Sequence, residues 1–233
     1  MNRLELIRQK EREYHDDCYE NIKLFEEGSW LHKPVRTVLD LFDTLENKEA
    51  AKVLDLGCGI GRNSIPLAER MKLGKGKVVC VDLLDSAITH LHKYAEEHGV
   101  SDRIESSLSD IASFPIKSDY YDLVFSVSSL EHLDSKETFD RVLADIRNGT
   151  RSGGVNGFII STNITETVID TGERLDPMFE LLFETEELIS KLQGFYKDWK
   201  LLKHAVKPYA VEIDRDGHKI QLYGDVVTWA VQK

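Results

Sequence analysis

Residues 53–68, VLDLGCGIGRNSIPLA, limit the possible folds of this chain more than any other stretch. An apolar, strand-like run enters Gly57, Gly59 and Gly61, and a helical pattern starts directly after them. Alternating glycines at such a junction permit a tight turn and let a ligand approach the backbone with no Cβ in the way. The alternation continues downstream. AKVLDL, KVVCVD, YYDLVFSV and NGFIIST read as buried strands, with helical stretches at 62–72, 86–98 and 136–148. Strands alternating with helices form βαβ units and a parallel sheet covered on both faces. Past Gly194 the pattern changes: DWKLLKHAV, YAVEID and KIQLYGDVVTWAVQK are strand-like around a DRDG turn, so the sheet ends in antiparallel pairing.

Before the sheet, Leu4, Ile7, Tyr14, Cys18, Ile22 and Phe25 share one helical face. Gly28-Ser29 interrupts that helix, and Pro34 opens a second with Val35, Val38, Leu39, Phe42 and Leu45 as its stripe. Expected helix starts are Asp85, a capping box of Asp134 with Glu137, and Thr185. The division expected is an N-terminal helical lid over 1–47 and one globular domain over 48–233.

Composition narrows the partners. Thirty Lys and Arg against 41 Asp and Glu leave a net charge of −11, which repels polyphosphate and an anionic membrane surface. No run approaches the ~18 apolar residues of a membrane span, and the charged N-terminus has no apolar signal region. Cys18, Cys58 and Cys80 are too few and scattered for a disulfide framework or a zinc site. The expectation is a cytoplasmic protein with no resident metal, no nucleic-acid partner and no membrane partner; oligomeric state is not legible.

The glycine loop discriminates among ligands. A dinucleotide fingerprint GxGxxG fails in both registers, because Arg62 and Ser64 hold the third glycine position. That weakens a nicotinamide-dependent oxidoreductase. The phosphate-loop pattern GxxxxGK[ST] is also absent. What stands is an hDhGxGxG pattern with Asp55 two residues before Gly57, an acid that suits a cationic ligand better than a phosphate. Asp82 lies about 20 residues after the last glycine, the separation at which an acid on the next strand reaches a ribose.

On these residues the chain resembles the class I S-adenosylmethionine-dependent methyltransferases. LDLGCGIG is similar to their first motif, and GRNS–PLA and the C-terminal hairpin are similar to the TehB-like branch. The resemblance implies a Rossmann-like, doubly wound seven-stranded sheet, mostly parallel, with an antiparallel C-terminal hairpin. It implies S-adenosylmethionine as cofactor and S-adenosylhomocysteine as product. Carried over residue by residue, it puts the first motif's cofactor contacts at Asp55, Gly57, Cys58, Gly59, Gly61, Arg62 and Asn63. Asp82 and Leu83 would meet the ribose, Asp110 and Ile111 the adenine, and Ser126 and Val127 the methionine end.

The tetrapeptide after the fourth strand reads SVSS, unlike the [DNS]PP[YFW] of amino-directed nucleic-acid enzymes, which leaves a small-molecule acceptor as the expected substrate. His132 is the candidate base or substrate contact just past that strand. Trp30, His32 and Lys33 are candidate lid residues, with Tyr14 and Tyr19 nearby. The hairpin VEIDRDGHK carries Glu212, Asp214 and Asp216 against Arg215 and Lys219, which repels an anionic acceptor unless Arg215, Lys219 or Arg174 turns inward. A cofactor-binding sensor or partner subunit without turnover is the alternative to an enzyme, since both need the same loop.

Overall fold

The computed structural model describes residues 2–215 and 217–233. Helix α1 (Arg3–Asn21) and helix α2 (Arg36–Asp43) precede the sheet. A βαβ series follows: β1 (Lys52–Leu56), α3 (Ser64–Arg70), β2 (Lys77–Asp82), α4 (Asp85–Glu97), β3 (Ile104–Leu108), β4 (Tyr121–Val127), α5 (Lys136–Gly149) and β5 (Thr150–Val168). The chain ends with β6 (Arg174–Leu175), α6 (Thr185–Phe195), β7 (Lys200–Arg215) and β8 (His218–Gln232). The strand order is β3-β2-β1-β4-β5-β8-β7, parallel from β3 to β5 and antiparallel beyond.

This is the doubly wound order, with its switch point between β1 and β4. In such sheets ligands bind outside the strands' carboxyl ends at that point. The expected seven strands form the continuous path; the eighth, β6, is a two-residue addition to the far end of β5.

Each strand divides its side chains between two cores. Val53, Leu123 and Phe125 pack with helices α2, α3 and α4 on one face, while Leu54, Val124 and Phe158 pack with α5 and α6 on the other. The two faces take alternate residues because strand side chains alternate with period two. Strand β5 runs 19 residues, well past the expected NGFIIST, and its pairing with β8 shifts register between Thr162 and Thr165. Asn163 there has φ +53°, and its N–H donates to the Phe183 carbonyl. Beyond this bulge β5, β8 and β7 continue as a ribbon past the end of the parallel sheet. In the DRDG turn Asp216 lies outside the described residues; the strands close on Arg215 opposite His218.

Three helix starts differ from expectation. Asp85 is the first helical residue of α4, after Leu84, whose side chain has no acceptor to cap it; the Leu84 N–H itself donates to the Asp82 carboxylate. Ser135, not Asp134, caps α5 by accepting from the Thr138 N–H. Thr185 is likewise inside α6, and its N–H donates to Asn163 Oδ1 on β5. In α1 the inward aromatic is Tyr19 rather than Tyr14, which is 48% exposed.

Candidate functional site

A cavity of about 1170 Å³ opens at the carboxyl ends of β1, β2 and β4, roofed by α1 and walled by the β5–β8–β7 ribbon. Its floor is the glycine loop. Gly57 sits at φ +83°, and a Cβ on it would collide with the Ser129 side chain at 2.0 Å. Gly59 sits at φ +51°, and a Cβ there would meet the Tyr19 hydroxyl at 3.0 Å. Glycine takes both conformations at no steric cost and leaves the space beside the backbone open. Gly57 and Cys58 donate their N–H groups to the Val81 carbonyl, which fixes the loop to the end of β2.

Asp82 completes this corner. Its Oδ2 accepts the Gly59 N–H at 2.8 Å and its Oδ1 the Leu84 N–H at 3.0 Å. Burial raises its pKa, and those backbone donors pull it back. Asp55 differs: it is 1% exposed and accepts the Ser64 hydroxyl at 2.5 Å. Burial raises it to about 7, with the nearby Asp82 charge adding. Asp55 therefore braces the turn from below and does not line the cavity.

Of the residues expected in the site, Gly57, Cys58, Gly59, Arg62, Asn63, Asp82, Leu83, Asp110, Ile111, Val127, His132 and Trp30 line the cavity. Five others do not face it. Asp55 and Gly61 lie behind the loop; a Cβ on Gly61 (φ +95°) would strike Leu91 and Ile65. Ser126 is fully buried in β4, between Leu56 and Phe158 in the sheet, because its neighbour Val127 takes the cavity-facing position. His32 and Lys33 lie beyond the turn that Trp30 makes and do not reach the cavity wall.

Arg62 and Asn63 fasten the N-terminal segment to the loop. Arg62 donates to the Trp30 carbonyl at 2.7 Å with its guanidinium 5.3 Å from the indole ring, and Asn63 Oδ1 accepts the Val35 N–H. Cys58 is a packing residue whose thiol burial holds protonated.

The outer half holds groups whose roles the sequence does not disclose. Arg8 of α1 donates to Asp110 Oδ2 at 3.1 Å and approaches Glu180 at 4.0 Å. His132 Nδ1 lies 2.8 Å from Glu180 Oε2, and its ring stacks on Phe179. Burial alone would lower its pKa, but the Glu180 hydrogen bond, with Glu11 and Glu131 nearby, raises it to about 9. The Glu180 bond thus favours the protonated ring, in which Nδ1–H donates to the carboxylate.

Arg215 does turn inward, as an anionic acceptor requires, but Glu166 takes it bidentately at 2.5 and 3.0 Å. Asn163 binds Thr185 and Asp225 and holds the start of α6. No group of three or more His, Cys, Asp or Glu is arranged to hold a metal among the described residues. No described helix is long and apolar enough to cross a membrane.

Comparison with known proteins agrees with this geometry. Residues 53–154 match the methyltransferase domain family. The probable S-adenosyl-L-methionine-dependent methyltransferase TehB of Haemophilus influenzae is 27% identical over 184 residues, 78% of this chain and 58% of that protein. A sterol 24-C-methyltransferase of Gibberella zeae is 24% identical over 197 residues, 78% of this chain and 50% of that protein. The chain thus spans half to three-fifths of these relatives' length. The crystal structure of Haemophilus influenzae TehB superposes with a TM-score of 0.64 at 23% identity, over 95% of this chain and 66% of that one. A methyltransferase from Methanosarcina mazei gives 0.59 at 17% identity, over 86% and 98%. With the first-motif loop, the switch-point cavity and these relatives in agreement, residues 53–154 form a methyltransferase domain, and the chain is similar to the class I S-adenosylmethionine-dependent methyltransferases of the TehB-like branch.

Proposed function

We propose that this chain transfers a methyl group from S-adenosylmethionine to a small-molecule acceptor held in the outer half of the cavity. The observation that carries this reading is the Gly59–Asp82 bond, by which one carboxylate both braces the glycine turn and faces the space beside it. Each carboxylate oxygen of Asp82 uses one acceptor site on a backbone N–H and keeps another, enough for the two hydroxyls of a ribose. The glycine floor leaves room for a ligand against the backbone, and the half-buried Asp82, with Asp55 buried behind the loop, favours a cation over a phosphate.

In this reading Gly57, Cys58 and Gly59 hold the methionine part, with Val127 at its end. Asp82 and Leu83 take the ribose, and Asp110 and Ile111 the adenine. Asp55 and Gly61 support the loop from outside, while Arg62 and Asn63 join it to the N-terminal segment. S-adenosylmethionine, when bound, supplies a methyl already activated by its sulfonium. The chain's task is then alignment of the acceptor and exclusion of water, where a misplacement of ~1 Å can cost about a hundredfold. Residues 1–47 supply the cover, through Arg8, Tyr19 and Trp30, over a core of residues 48–233. The three buried thiols and the acidic surface favour a cytoplasmic protein that does not bind nucleic acid.

The test is selective stabilisation. S-adenosylmethionine or S-adenosylhomocysteine at 100 times its Kd is expected to stabilise the fold by about 2.7 kcal/mol. NAD and ATP are expected to shift Tm little, and an equal shift with NAD would overturn the reading. Release of S-adenosylhomocysteine in an acceptor screen separates an enzyme from a silent cofactor-binding subunit.

A further inference from the structure

Glu131 lies in the short turn after β4 and lines the cavity, yet its side chain is wholly buried. Its Oε1 accepts the Ser161 N–H at 2.9 Å. Its Oε2 is buried with no hydrogen-bond partner among the described residues. An unmet buried acceptor is costly, and a donor brought to it recovers that cost.

The surrounding charges decide which donor fits. Among the described residues Arg215, Arg8 and His132 each already face a carboxylate, on Glu166, Asp110 and Glu180. An anionic acceptor would have to compete with those pairs. A cationic one suits Glu131, which lines the cavity together with Ser161 and Tyr209. Phe179, Val211, Leu222 and Val226 supply apolar surface for the rest of the molecule.

Resting on the methyltransferase reading, we propose that the acceptor is an amine, bound as its ammonium with an N–H on Glu131 Oε2 and its apolar body against the ribbon wall. For transfer that proton passes to Glu131, whose burial favours the protonated carboxyl. The freed nitrogen lone pair then forms the N–CH3 bond as the methyl–sulfonium bond breaks, its electrons going to sulfur and leaving S-adenosylhomocysteine. Glu131 is then the residue that sets acceptor class. A charge-assisted bond to a carboxylate is roughly twice as strong as a neutral one, so the preference is measurable with simple probes.

The probes are phenethylamine, 2-phenylethanol and phenylacetate, one skeleton carrying an ammonium, a hydroxyl and a carboxylate. They are titrated by calorimetry into the full chain saturated with S-adenosylhomocysteine. Phenethylamine is expected to bind at least tenfold more tightly than 2-phenylethanol, and phenylacetate more weakly than both. Glu131→Gln should abolish the ammonium preference while S-adenosylhomocysteine affinity stays within about twofold. The wild-type series stands without the variant should Glu131→Gln fail to fold, and Tyr209→Phe, which removes only a neighbouring hydroxyl, should keep the preference. Equal binding, a preference for phenylacetate, binding of none of the three, or an ammonium preference that survives Glu131→Gln overturns the proposal. A chain that does not bind S-adenosylhomocysteine fails the earlier reading instead; the same three probes titrated without it then decide the ammonium preference alone.

Discussion

The two halves of the cavity satisfy their charges in different ways. At the glycine loop, the Asp82 carboxylate is met by backbone N–H groups and Asp55 by the hydroxyl of Ser64, nine residues on. In the outer half, charges are met by other charges from far along the chain. Arg8 pairs with Asp110, His132 with Glu180, and Arg215 with Glu166. The loop is therefore built by local backbone geometry, and the outer half by long-range side-chain pairing. Fixed backbone donors suit a cofactor common to many relatives, whereas ion pairs on α1 and the ribbon can be exchanged singly.

The contrast can be broken most severely at Glu166, which is 0% exposed in its side chain and holds Arg215. Glu166→Ala leaves a guanidinium without its partner, and the expected loss is about 3–5 kcal/mol in urea unfolding. Removing both partners together, as Glu166→Leu with Arg215→Met, should recover most of that loss. If the single variant is as stable as the parent, the outer half does not depend on paired charge.

At the loop the expected effect falls on binding. Asp82→Ala should weaken S-adenosylhomocysteine binding by roughly ten- to 150-fold, about 1.5–3 kcal/mol, as measured by calorimetry. The sheet should persist by circular dichroism, since the residue ends a strand. Unchanged affinity would show that Asp82 only braces the turn.

The smallest effect is pH-dependent. The folded pKa of His132, about 9, lies above its ordinary 6.5. Its stabilisation is thus fully present below pH 6.5 and lost as pH rises through 9. Glu180→Gln should move the ring titration toward neutral in NMR and cost about 1–2 kcal/mol at pH 6, a loss that shrinks toward pH 10. A ring titration that stays near 9 would place the cause elsewhere than Glu180.

The same contrast explains what could be read from sequence. The strands at 52–56 and 77–82, the glycine turn and Asp82 follow from short-range pattern, and the structure has them in those places. Ser126 was a matter of strand parity: moving one residue along β4 exchanges the cavity face for the core, and Val127 has the cavity. The caps expected at Asp85, Asp134 and Thr185 differ in the structure because neighbours or distant groups supply the donors and acceptors, such as Asn163 for Thr185. Glu131 and Glu180 carry no local signal. Their meaning depends on Ser161 and His132, which the chain brings in from 30 and 48 residues away.

The bulge in β5 at Asn163 has a consequence for how such a molecule can diversify. Strand β5 is shared, since its first part is a wall of the parallel sheet and its last part belongs to the ribbon. The bulge divides these duties within one continuous strand and is tied to α6 by Asn163 rather than to the glycine loop. Changes on the ribbon side with no partner shared with the loop should add independently to changes on the loop side. Glu131, which reaches from the turn after β4 to the Ser161 N–H, is a point where the two sides meet. Library mutagenesis aimed at new acceptors should therefore vary Val211, Leu222 and Val226 freely, and treat Glu131 and Ser161 as a single coupled position.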